Sequence, residues 1–368
     1  MRLMHYLIAV VILSAGAAGA VAQDVIRFKE GRGQDIQGDV GNNLNYKVVE
    51  YEPAATPGAK IKSDSKDIQE IVIEQSKKSF DFGQGEQAMN NNDLDSAVER
   101  FERVRKDPRA HELIKQTSAI NVVRCHFANN NVAAALAAVK SLRQERPDSF
   151  YLLESYDYEI RCHLARKDTT AASQSLTELE GRGKSDNMPE WSKLANVRRA
   201  GLLELQGKWA EAMTAYRSFA RDKDVGEDAL LGELRCLRET GNWNGLMGRG
   251  EQLIGELRAK KGASPRLLMA AFNARGEASL NSGKPKDALF DFMQGVASLG
   301  RRTGPCRELE LATAKAAVAC ARIAKDEKDK AKKETYKNRA LELQGELEKV
   351  APGSSFRGEV QKAVQEAK

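Results

Sequence analysis

Three arginines recur in one local spelling: Arg124-Cys125-His126, Arg161-Cys162-His163 and Arg235-Cys236-Leu237. The first two lie 37 residues apart and the next pair 74, twice that unit. A guanidinium is a permanently charged planar fork, so a regular row of them suits bidentate gripping of carboxylates on a peptide or an acidic polymer. The competing reading lays these side chains over neighbouring helices or pairs them with carboxylates such as Glu159 and Asp157.

Other chemistry has less support. The Cys-His neighbours point about 100° apart on a helix, which makes them poor joint ligands, and no closely spaced Cys or His pair completes a tetrahedral set. No metal and no cofactor is expected. Gly183-Lys184-Ser185 has the tail of a phosphate loop, but Glu178 stands where the leading glycine belongs and no strand precedes it, so a loop between helical units is expected there. His111, His126 and His163 fall in no nucleophile or base arrangement, and no catalytic residue is assigned.

The elements that must position these residues follow from composition and period. The chain has 368 residues, 41% apolar, 30% charged and only 6% aromatic, which favours helix over sheet. Residues 1–22 read as a signal peptide: Arg2, an apolar stretch from Tyr6 to about Ala18, and the small-x-small site Ala20-Val21-Ala22. Cleavage before Gln23 implies an exported, periplasmic or extracellular protein that does not span the membrane afterwards. Charges of both signs are interspersed, as from Lys325 to Lys333, which reads as solvated helix faces and argues against nucleic acid as a partner.

Residues 23–75 differ from the rest. Short runs at Asp24–Lys29, Ile36–Val40, Tyr46–Tyr51, Ala59–Lys62 and Ile68–Ile73 are divided by Gly, Pro and Asn, with turns expected at Gly31–Gly33 and Gly41–Asn43. They predict a small antiparallel sheet or barrel. Lys29, Gly31, Gly38 and Val40 resemble the opening pattern of the small β domain of many exported bacterial proteins. From about Ser76 the period becomes helical.

The helical part repeats. Trp209 to Phe219 sets a small Ala212 four residues before Tyr216 and seven before Phe219; Ala97 with Phe101 and Ala288 with Phe292 have the same form. Gly85 and Gly276 stand twelve residues before their alanines, and Pro108, Pro147 and Pro352 follow helix ends. These features resemble the tetratricopeptide-repeat (TPR) family. Anchors at Ala97, Ala135, Ala172, Ala212, Leu246, Ala288 and Ala340 are spaced by 38, 37, 40, 34, 42 and 52 residues, against a family norm of about 34. The fold expected is mainly α: an α-α solenoid of six or seven TPR-like helical hairpins over 76–352, with a helical tail at 353–368.

The resemblance implies that each small residue lets two helices approach and that the aromatic beyond it fills the gap, with stacking needed to close the core. Cys125, Cys162 and Cys236 share a position where the family has a small residue, so packing is expected of them, while a Cys306–Cys320 bridge stays open. The resemblance also places Arg124, Arg161 and Arg235 on a groove wall with Phe82, Glu86, Met89 and Phe127. It implies a non-enzymatic scaffold or adaptor of the bacterial cell envelope that binds a protein or peptide through that groove. The alternatives are an envelope assembly or trafficking factor docked through its β domain, and an exported enzyme, for which no motif supplies an active site. The sequence does not fix the oligomeric state.

Overall fold

The computed structural model describes residues 23–29, 31–260, 262–299, 306–351 and 353–367. Residues 1–22, expected to be a signal peptide, and Pro352 lie outside the described residues.

The chain opens with five strands: β1 (Asp24–Phe28), β2 (Ile36–Leu44), β3 (Val48–Pro53), β4 (Ile61–Asp64) and β5 (Ile68–Val72). All neighbours are antiparallel and their order is β4-β3-β2-β1-β5, an open sheet with β5 at one edge. Alternation buries Ile26, Val40, Val49 and Tyr51 on one face. The turn expected at Gly41–Asn43 is absent. β2 runs on to Leu44, and pairing with β3 slips between Val40 and Leu44, so those residues form an irregular stretch within the strand.

Twelve helices follow as six hairpins: α1 (Phe80–Asn90) with α2 (Leu94–Lys106), α3 (Glu112–Ala128) with α4 (Val132–Glu145), α5 (Leu152–Ala165) with α6 (Thr169–Ser185), α7 (Pro189–Leu205) with α8 (Trp209–Phe219), α9 (Gly226–Glu239) with α10 (Trp243–Ala259), and α11 (Pro265–Asn281) with α12 (Pro285–Met293). After a π-helical turn at Gln294–Leu299 come a seventh hairpin, α13 (Arg307–Asp326) and α14 (Lys330–Val350), and a closing helix α15 (Arg357–Glu366). Val360 and Val364 of α15 are buried in the core shared with α13 and α14. The chain is therefore an α-α solenoid behind a small sheet.

One local device sets the repeat. Each of the first six hairpins turns through a single residue in the left-handed region: Asn92, Asn130, Lys167, Gly207, Gly241 and Gly283, with φ between 55° and 75°. The small anchor comes five residues later, so the anchor spacing is the turn spacing. Four of the next residues, Asp93, Asn131, Asp168 and Asn242, then cap the second helix by accepting from a backbone N–H three residues on.

Packing uses the anchors. Ala97, Ala135, Ala172, Ala212, Leu246 and Ala288 are fully buried, as are Phe101, Tyr216 and Phe292 beyond them. The glycines opposite are required by close approach: a methyl on Gly85 would sit 2.9 Å from the Phe101 ring, and one on Gly276 2.8 Å from Phe292. Gly183-Lys184-Ser185, expected as a loop, instead forms the last turn of α6, because a methyl-free Gly183 admits Trp191 Cβ at the α6–α7 contact. Cys125, Cys162, Cys236 and Cys320 are buried thiols, and burial pushes their pKa values up to about 11 or 12. None of the five cysteines, Cys306 and Cys320 included, is in a disulfide.

Candidate partner-binding cavity

The sheet does not stand apart from the solenoid. Its apolar face shares one core with α1 to α4, where Ile26, Val49 and Ile71 meet Phe82, Ile114 and Ile120. Farther along, Tyr46 packs against Trp191 of α7, tilted, at 5.5 Å between ring centroids. Tyr46 also donates to Asp186 at 2.9 Å and accepts from Arg182 at 2.9 Å, while Lys47 donates to Asp186. Lys29 reaches Asp224, just ahead of α9, at 3.0 Å. The sheet thus lies along the first helices of several successive hairpins.

Between β5 and those helices is a cavity of about 960 Å³. Residues 68–73 form one wall. The facing wall is built from the first helix of each hairpin: Glu86 and Met89 of α1, Thr117, Asn121 and Arg124 of α3, Tyr151, Glu154 and Asp157 at α5, Glu190, Trp191, Leu194 and Arg198 of α7, and Asp228 of α9. Helical spacing puts Thr117, Asn121 and Arg124 on one face of α3, and Glu190, Leu194 and Arg198 on one face of α7.

The expected groove residues separate into three groups. Arg124, Glu86 and Met89 do line the cavity. Phe82 does not: it is fully buried, edge-on to Phe101 at 5.7 Å, and belongs to the core. Phe127, Arg161 and Arg235 lie outside the cavity wall. Arg161 stacks over Phe127 and Tyr158 at 4.5 and 4.7 Å, with Asp157 at 3.6 Å.

The arginines grip the chain's own carboxylates. Arg124 forms a two-pronged pair with Glu154 at 2.7 and 2.8 Å and also donates to Asn121. Arg235 does the same with Glu204 at 3.2 and 2.9 Å. Burial works against the Arg124 charge, but Glu154 outweighs it and the pKa is raised; Glu204 does so for Arg235. Glu159, a candidate partner for Arg161, binds Arg143 instead.

These pairs are members of a ladder running from first helix to first helix. Arg124 of α3 holds Glu154 of α5; Arg198 of α7 holds Asp157 of α5 and Asp228 of α9; Arg235 of α9 holds Glu204 of α7; Arg238 of α9 holds Glu277 of α11; and Arg266 of α11 holds Glu308 of α13. Of the recurring arginines, Arg124 and Arg235 are rungs of this ladder, whereas Arg161 pairs within its own helix.

Comparison with known proteins follows from the fold. Among solved structures, a tetratricopeptide repeat protein from Parabacteroides merdae ATCC 43184 is similar over 77% of this chain and 97% of its own, with 16% identity and a TM-score of 0.46. PilW, a widely conserved type IV pilus biogenesis factor, is similar over 67% of this chain and 98% of its own, with 15% identity and a TM-score of 0.39. No protein-family model matches the chain, and no curated protein matches it. Within the hairpins the packing is the one the sequence resemblance implied, with Gly85 against Phe101 and Gly276 against Phe292.

Sequence reasoning missed Glu190, Trp191, Tyr151 and the edge of β5. Pro189 at the first position of α7 marks where that helix starts, and hence that Glu190 and Trp191 sit in its first turn. Which strand forms the sheet edge has no comparable local signal. Among the described residues no group of His, Cys, Asp and Glu is arranged to hold a metal, and no helix is long and apolar enough to cross a membrane.

Proposed function

We propose that this chain is a non-enzymatic scaffold of the bacterial cell envelope that holds a segment of a protein partner between β5 and the first helices of its hairpins. The cavity of about 960 Å³ on that face carries the reading. Its size suits a peptide segment, and its mixture of aromatic, aliphatic and paired charged walls suits holding more than proton transfer. Arg124, Arg198 and their carboxylates are matched with one another, so they fix the wall's shape and leave recognition to the surfaces between them. The envelope address rests on Arg2, the apolar stretch after it and the small-x-small site within residues 1–22.

Selection of binders from a random peptide display library tests the reading. Binders to the full chain are expected to lose at least tenfold in affinity for Gln69→Trp, which puts bulk on an exposed β5 side chain at the cavity wall without touching the core. Selected peptides that bind this variant equally well would remove the cavity from the proposal. Cell fractionation tests the address: an envelope protein beginning at Gln23 is expected, and a cytoplasmic one retaining residues 1–22 would overturn it.

A further inference from the structure

Two unmet valences face each other across the cavity. The first is the outer edge of β5, which pairs with β1 on one side and, among the described residues, with no strand on the other. Consecutive residues 68–73 line the cavity, so the strand presents its edge there and not one face alone. An open edge is a template for another extended chain.

The second is Glu190. It is only 8% exposed, it lines the cavity, and its Oε1 is buried without a hydrogen-bond partner. A buried carboxylate oxygen with nothing to accept from is unfavourable, so it marks a site that wants a donor. Its place in the first turn of α7 eases the charge but supplies no bond to that oxygen.

The cations of the wall are already engaged. Lys78 is bonded to Glu86, Arg124 to Glu154, and Arg198 to Asp157 and Asp228. Lys29 is drawn off to Asp224 and Lys66 to Asp64 at 3.1 Å. The charge of Glu190 is felt at Lys66, behind those of Asp64 and Asp67, and the buried Oε1 of Glu190 has no hydrogen bond from it. Glu70 is likewise satisfied, by Arg27. Of the wall's carboxylates, Glu190 is the one left with a bare, buried oxygen. Trp191 and Leu194 beside it give an apolar lane for an aliphatic stem.

We propose that the cavity takes an extended segment of a partner protein that adds as a strand to the outer edge of β5 and presents a lysine or arginine side chain to Glu190. The proposal rests on the scaffold reading above and names the partner's chemistry. Main-chain hydrogen bonds to β5 supply affinity and register, and the cation supplies selectivity. The five residues of β5, Ile68–Val72, offer an edge of about 16 Å.

Binding of capped synthetic heptapeptides to the full chain tests this. The probe alternates Thr and Val with a single central Lys; its controls carry norleucine or Glu at that position, and a fourth and a fifth peptide are N-methylated on one or the other alternating set of amides. The Lys peptide is expected to bind at least tenfold tighter than the norleucine peptide and more so than the Glu peptide. N-methylation on the β5-facing edge is expected to abolish binding, while methylation of the other edge leaves it. Glu190→Gln is expected to erase the Lys preference while leaving the melting temperature within a few degrees. Equal binding of Lys and norleucine peptides, or indifference to N-methylation on both edges, overturns the proposal; that contrast needs no variant of the protein. If display-selected peptides bind the cavity without any lysine or arginine preference, this inference fails and the scaffold reading stands. If no peptide of any composition binds, both fail.

Discussion

Tyr46 donates its hydroxyl to Asp186 Oδ2 at 2.9 Å, joining the start of the β2–β3 connection to the end of α6 across 140 residues of chain. The same carboxylate takes Lys47 and Arg182, so one side chain gathers three donors at the sheet's contact with the third hairpin. Removing it as Asp186→Ala is expected to cost about 1–3 kcal/mol. Chemical denaturation checks the value, and Trp191 emission should shift to the red because Tyr46 no longer shields it.

Acid should act on the same joint. Lys47, then Tyr46 and Arg182, hold the Asp186 carboxyl well below its ordinary 3.8, at about 2. A depressed folded-state pKa stabilises above the ordinary value and loses its contribution as pH falls through the folded one. Hydrogen-exchange protection in β2 and β3, relative to the intrinsic rate at each pH, is therefore expected to fall between pH 4 and 2. In Asp186→Asn that step should vanish. Persistence of the step in the variant would assign it to other carboxylates.

Glycines of one type should respond in opposite ways. Gly85→Ala and Gly276→Ala push a methyl to within 2.9 and 2.8 Å of aromatic carbons and are expected to destabilise by about 1–3 kcal/mol. Gly181→Ala and Gly255→Ala, in helices with nothing within 4 Å, are expected to stabilise by about 0.5–1 kcal/mol. Thermal melts of the four variants decide it.

Lys167 occupies the left-handed turn position that glycine holds in three other hairpins, at φ 57°. Its side chain is exposed, so little packing is lost with it. Lys167→Gly is expected to be neutral or to stabilise by up to about 1 kcal/mol, and Gly207→Lys to destabilise by about 1 kcal/mol. The reverse order in denaturant midpoints would refute the turn argument.

The ladder predicts asymmetry between partners. Arg198 is held by both Asp157 and Asp228, and burial opposes its charge while those carboxylates raise its pKa. Asp157→Ala leaves that guanidinium half-compensated and is expected to cost about 3–5 kcal/mol. The triple change Arg198→Met, Asp157→Leu, Asp228→Leu should recover most of that loss. Equal instability of the single and triple variants would argue that the site is held by packing alone.

How much of this was legible in the sequence depends on range. The strands and hairpins follow from local signals, because turn residues such as Gly207 and anchors such as Ala212 act within a few positions of one another. Arg124 and Arg235 were legible as members of a repeat, but their partners were not: Glu154 and Glu204 sit about 30 residues away, and nothing local tells a guanidinium facing a groove from one facing the next helix. Phe82 was misplaced because the first helix of a hairpin has two flanks, and the sequence does not say which one the sheet and Phe101 cover. The edge position of β5 and the exposure of its amides are set by the strand order, a purely non-local property.

The sheet's reach has a mechanical consequence. It is fastened to α1 through α4, to α6 and α7, and to Asp224 ahead of α9. A stack of hairpins joined only to their neighbours behaves as a spring. Here the leading half is splinted, so elastic bending is concentrated from α9 onward, where helices touch only what lies next to them. Pulled from its ends, the molecule should therefore yield at its trailing coils first, while the grip on anything lodged beside β5 stays closed.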